Sequence, residues 1–86
     1  MEIIYLPQAE EDLSYWIKSG KKSMLKKIAL LTRSVVANPY KGIGKPEPLK
    51  YELTPKWSRR ITKEHRFVYQ VLEDKLYVFS LRGHYI

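Results

Sequence analysis

The stretch HRFVYQVLEDKLYVFSLRGHY, residues 65–85, holds two runs of β-branched and aromatic residues on either side of Glu73-Asp74. Such runs read as strands, and a connection this short makes them antiparallel neighbours. The side-chain period of two then makes the register decisive. A three-residue loop closing Leu72 against Leu76 sets Arg66 opposite Arg82 and diagonal to His84, about 7–8 Å apart. A two-residue loop places Arg66 and His84 on opposite faces. The three-residue register is the expected one.

Upstream, LKYEL (49–53) and WSRRIT (57–62) repeat the pattern, divided by TPK and KE, so residues 49–85 predict a four-strand meander. Before it, PYKGIGKPEP (39–48) holds three prolines and two glycines and reads as a loop. Before that, the period changes to a helical one. Met24, Ile28, Leu31 and Val35 form one apolar stripe, widened by Leu25 and Val36, on a helix from Lys21 to Ala37 that Asn38-Pro39 stops. Ala9, Leu13, Trp16 and Ile17 form another on a helix that starts at Pro7, has acids in its first turn and ends at Gly20. MEIIYL opens the chain as a short strand. The expected fold is α+β: strand, two helices, then four strands. A helical hairpin packs on one face of a mainly antiparallel sheet, and the opposite face carries polar side chains.

The chain has 86 residues and no cysteine, so one domain, residues 1–86, stabilised by packing alone is expected. No apolar run approaches the roughly 20 residues of a membrane span. The N-terminus has no signal-peptide pattern, and the expected location is the cytoplasm. Net charge is +7 and unevenly spread. Residues 1–20 carry four acids against one lysine, whereas residues 21–66 carry thirteen Lys or Arg against three acids. A basic middle of this kind favours a polyanion, either nucleic acid or an acidic protein surface.

The polar residues left over once the core is assigned gather near one chemistry. Glu47 sits between Pro46 and Pro48, with Lys45 and Lys50 on either side. Arg59 and Arg60 lie in WSRRIT, Arg66 in EHRF, and His84 and Tyr85 in the terminal RGHYI. Cleavage of RNA by its own 2′-hydroxyl needs a base, an acid for the departing 5′-oxygen, and cations around phosphorus. Glu47 is a candidate base, His84 a candidate acid, and Arg66 and Lys50 candidate cations. No metal or other cofactor is expected, since no carboxylate cluster or ligand spacing is present to hold one. Each residue also has a plainer reading: Glu47 as a loop acid neutralising lysines, Arg66 as a strand surface charge, His84 as a structural or disordered histidine. His65, on the opposite parity to Arg66, is read as structural. Lys21, Lys22, Lys26 and Lys27 are read as a solvated helix face, with ribosomal RNA contact as the sharper alternative. Trp57 is read as core or edge contact.

Taken together, GIGKPEPLK, WSRRITKEHRFVY and RGHYI, with YW in the first helix and KKI in the second, resemble in order and spacing the YoeB branch of the RelE/ParE toxin superfamily. The resemblance runs the length of the chain. It implies a RelE-like fold and a messenger-RNA endonuclease that acts in the ribosomal decoding site and is silenced by a YefM-like antitoxin. The toxin–antitoxin complex, and not the toxin alone, would bind operator DNA. Since the family includes dimers, a homodimer is a further expectation. By the same resemblance Glu47 is the base, His84 the acid and Arg66 the transition-state arginine, with Lys50, Arg60 and Tyr85 in support. Ile86 extends past the tyrosine at which the family pattern commonly ends. Of the two adjacent arginines, one should meet RNA and the other solvent or antitoxin, and parity with Arg66 favours Arg60 for RNA. Two rivals remain: a ParE-like relative of the same fold that inhibits gyrase by binding, and a non-catalytic RNA- or operator-binding module. Neither needs a base–acid pair.

Overall fold

The computed structural model describes residues 1–83. Strand β1 spans Glu2–Tyr5, helix α1 Pro7–Lys18 and helix α2 Lys22–Ala37. Strand β2 is Glu47–Pro48, β3 Trp57–Arg60, β4 Arg66–Leu72 and β5 Lys75–Ser80. The strands form one sheet in the order β1-β5-β4-β3-β2. Strand β1 runs parallel to β5 and every other pair is antiparallel. The α+β architecture read from the sequence is therefore present.

The α2 stripe buries Met24, Ile28, Leu31 and Val35 against Phe67, Tyr69, Leu76 and Val78 from the sheet. Helix α1 starts with Pro7 at its first position, where the missing amide costs nothing, and buries Ala9 and Trp16. Its orientation departs from the expected stripe. Ile17 is 58% exposed, and Asp12 lies inside instead. The buried carboxylate is satisfied, because Asp12 Oδ2 accepts the Leu81 amide at 2.9 Å and Oδ1 accepts from Gln8 Nε2. A buried amide that needs an acceptor outweighs the gain from seating one more isoleucine.

Two further expectations are corrected. LKYEL is not a strand: only Glu47–Pro48 pairs with β3, and Tyr51–Leu53 forms a single 3₁₀ turn. Tyr51 has φ +57, so the chain turns where the apolar alternation suggested continuation. The β4–β5 connection is the two-residue one, with Leu72 paired to Lys75. Glu73 and Asp74 both have positive φ, as the tight turn matching strand twist requires. The inversion of faces that this turn implies is undone farther along. Tyr69 pairs with Val78 but Val68 pairs with Ser80, so Phe79 is an extra residue on β5. Beyond that bulge the register is again the one a three-residue loop would have produced.

Candidate active site

On β3 and β4, Arg60 and Arg66 are direct cross-strand partners, and Ser58 pairs with Val68 in the same ladder. Glu47 pairs with Ser58 across β2 and β3. Paired residues share a sheet face, so Glu47, Arg60 and Arg66 all stand on the face opposite the helices. Glu47 is diagonal to Arg60, and β2 lies about 10 Å from β4 across the intervening strand. The expectation that Arg60 shares a face with Arg66 holds.

Arg66 is half-buried, and its Nη1 donates to the carbonyls of Thr62 and Lys63 at 3.0 and 3.2 Å. These bonds anchor one edge of the guanidinium to the turn that closes β3 on β4. Two like charges directly opposite each other are unfavourable in a sheet unless an anion lies between them. Ser58, between Glu47 and Val68, is 1% exposed, and its Oγ has no hydrogen-bond partner among the described residues.

Glu47 is delivered by the loop that follows α2, and that loop is built around Arg59. Arg59 was expected to face RNA, solvent or a partner protein; instead it is 0% exposed. Its Nε donates to the Tyr69 hydroxyl, Nη1 to Ser34 Oγ and the Ile43 carbonyl, and Nη2 to the carbonyls of Asn38 and Lys41. All five guanidinium N–H groups are thus used, three of them on loop or helix-end carbonyls that no regular structure satisfies. Tyr69 in turn donates to the Pro39 carbonyl. Burial pushes the Tyr69 hydroxyl above its ordinary pKa, opposed by the hydrogen bond and charge of Arg59. The loop's glycines permit this packing. A Cβ on Gly42 would collide with Ser34 Oγ and lie 2.9 Å from Arg59 Nη1, and one on Gly44 would lie 2.6 Å from Leu31 Cδ2. The Gly44 carbonyl accepts the Arg60 amide at 2.6 Å, which fixes the approach of the loop to β3. Lys45 and Lys50 are exposed on either side of Glu47.

His84 and Tyr85 lie outside the described residues, and so does the expected diagonal contact between His84 and Arg66. The segment leading to them is held firmly. The Leu81 amide donates to Asp12 and the Leu81 carbonyl accepts from Trp16 Nε1 at 3.0 Å. The Gly83 amide donates to His65 Nδ1 at 2.8 Å, and the Arg66 amide to the Gly83 carbonyl at 3.1 Å. The His65 ring meets Trp16 edge to face, in keeping with its structural reading. Arg82 does not join the arginine pair; its guanidinium lies 3.6 Å over the Tyr15 ring. Trp57 packs against the core and against Tyr40. Of the four lysines read as a solvated face, Lys21, Lys22 and Lys26 are exposed and Lys27 is half-buried. Among the described residues no cluster of His, Cys, Asp and Glu is suited to a metal ion, and no helix is long and apolar enough to cross a membrane.

Residues 5–85 match the family of YoeB-like toxins of bacterial type II toxin–antitoxin systems. The toxin YoeB of Escherichia coli K12 is 44% identical over 85 residues, covering 99% of this chain and 100% of that protein. Among solved structures, a YoeB/ParE toxin from Agrobacterium tumefaciens superposes with a TM-score of 0.94 at 39% identity, covering 99% of this chain and 100% of that one. The Staphylococcus aureus YoeB, solved in a heterotetrameric YoeB–YefM complex and as a YoeB dimer, superposes with a TM-score of 0.89 at 44% identity, covering 99% of this chain and 98% of its own.

Proposed function

The chain belongs to the YoeB-like toxins of bacterial type II toxin–antitoxin systems, and we propose that it is a ribosome-dependent endoribonuclease that cleaves messenger RNA by attack of the RNA's own 2′-hydroxyl. The observation that carries this reading is the cross-strand Arg60–Arg66 pair on the sheet face that also bears Glu47. Such a pair fits a phosphodiester held between two guanidiniums, with a carboxylate to one side. Glu47 removes the 2′-proton, and the 2′-oxygen forms a bond to phosphorus. The bond from phosphorus to the 5′-oxygen breaks as His84 protonates that oxygen. Arg66, with Arg60 and Lys50, neutralises the added charge on the non-bridging oxygens, and Tyr85 supports the site. The products are a 2′,3′-cyclic phosphate and a 5′-hydroxyl. No metal or cofactor takes part.

By analogy with the S. aureus complex, the chain is bound and silenced in the cytoplasm by a YefM-like antitoxin. The antitoxin segment is acidic and covers the basic face. Operator DNA is bound only by the toxin–antitoxin complex, and a homodimer accords with the dimer of the S. aureus relative.

The test is a ribosome-bound messenger carrying a 2′-O-methyl sugar at the cut site. It should bind and stay whole while the unmodified messenger is cut. Glu47→Gln, Arg66→Gln and His84→Gln should each lower the single-turnover rate by about 10²–10⁴ with ribosome affinity retained. Cleavage of the blocked messenger, or gyrase inhibition without any RNA cleavage, would overturn the reading.

A further inference from the structure

Tyr51 combines two features that are individually costly. Its side chain is 90% exposed, and its backbone has φ +57, a region that non-glycine residues rarely occupy. The turn that holds it there is well made. The Leu53 amide bonds the Lys50 carbonyl, the Thr54 amide bonds the Tyr51 carbonyl, and the Thr54 hydroxyl bonds the Leu49 carbonyl. The fold thus fixes a large aromatic ring in water where a glycine would sit without strain. Tyr51 lines an open cleft of about 320 Å³ formed by residues 47–53, among them Glu47, Pro48, Lys50 and Glu52. One cleft therefore holds an exposed aromatic, a lysine to follow a phosphate, the candidate base and a second carboxylate, Glu52.

We propose that Tyr51 is a nucleobase platform: a base next to the scissile phosphate stacks on its ring, while Lys50 holds that same phosphate. The role rests on the endoribonuclease reading and adds to it a residue that sets affinity and cut-site choice. Stacking on an aromatic tolerates any base yet favours purines by area, and lysine supplies the backbone contact. The cleft's link to Glu47 favours RNA over a protein occupant.

The experiment measures cleavage of ribosome-bound messengers by the full chain and by Tyr51 variants. Tyr51→Ala and Tyr51→Leu should lower kcat/KM by roughly 5- to 150-fold, mainly through KM, and flatten the preference among cut sites. Tyr51→Phe and Tyr51→Trp should restore both. Tyr51→Gly should melt at the same or a higher temperature than wild type while losing affinity like Tyr51→Ala, which separates stacking from folding. Wild-type cleavage with unchanged KM and cut sites in Tyr51→Ala overturns this inference and leaves the endoribonuclease reading standing. So does a loss confined to antitoxin binding, and so does rescue by leucine. Absence of cleavage by the wild type overturns both.

Discussion

Arg60 on β3 and Arg66 on β4 occupy directly opposed positions of one antiparallel ladder. Like charges at directly opposed positions are unfavourable in a sheet, and an anion bound between them would offset that cost. The Arg66 guanidinium is braced on the turn carbonyls of Thr62 and Lys63, so it cannot simply swing away to relieve that repulsion without losing two hydrogen bonds.

Replacing Arg60 with Gln should therefore raise stability slightly, by about 0.2–1 kcal/mol, while weakening RNA cleavage. Urea denaturation in parallel with single-turnover cleavage checks both signs. A destabilised Arg60→Gln protein would show that the pair is not repulsive as described.

Arg59 should behave in the opposite way. Arg59→Gln leaves several buried acceptors unmet, and each costs about 1–3 kcal/mol, so the variant should be largely unfolded. Arg59→Lys should rescue poorly, because an ammonium group offers three donors where the site uses five. Circular dichroism and a melting curve of each purified variant test this, and a native melt for Arg59→Lys would count against it.

Tyr69 gives a pH signature. Its folded pKa lies above 10.0, so above pH 10 the unfolded chain releases this proton more readily than the folded one. The associated stability is complete below about pH 10 and is lost as pH rises towards the folded value. Tyr69→Phe should be less stable than wild type at pH 8, by about 1–3 kcal/mol, because the Pro39 carbonyl and Arg59 Nε lose a partner. The gap between the two proteins should narrow above pH 10. Paired urea titrations at pH 8 and 10.5 provide the comparison, and a widening gap would contradict the assigned direction.

Asp12 ties the C-terminal segment to α1. Asp12→Ala should cost about 1–3 kcal/mol and speed hydrogen exchange at the Leu81 amide. It should also slow RNA cleavage although Asp12 lies on the helix side of the sheet, because Leu81 is three residues from His84. Unchanged exchange at Leu81 would show that another group holds the segment.

Much of this protein was written locally. The 3.6-residue period of Met24, Ile28, Leu31 and Val35 determined a helix and its buried face, because packing rewards that spacing wherever the helix lies. The paired strand runs with their short turns determined antiparallel neighbours. The motif GKPEPLK, with its fixed backbone and mixed charge, put Glu47 among the candidates, and the family resemblance supplied the role of base proposed for it. What the linear pattern could not decide was anything set by a partner distant in sequence. Arg59 reads like Arg60 in the chain, yet it is buried because five acceptors from Ser34, Asn38, Lys41, Ile43 and Tyr69 converge on it, and only the fold brings them together. Asp12 displaces Ile17 from the core for the same kind of reason. The faces of Arg66 and Arg60 relative to β5 depended on one extra residue, Phe79, and on the turn at Glu73-Asp74, whose effects on register cancel. Tyr51 was read as strand because its neighbours alternate, whereas the tertiary structure turns the chain there and leaves the ring in water. Hydrophobic period is a property of neighbours along the chain, so sequence determines it. Hydrogen-bond satisfaction of buried groups and strand register are properties of neighbours in space, so only the folded structure decides them.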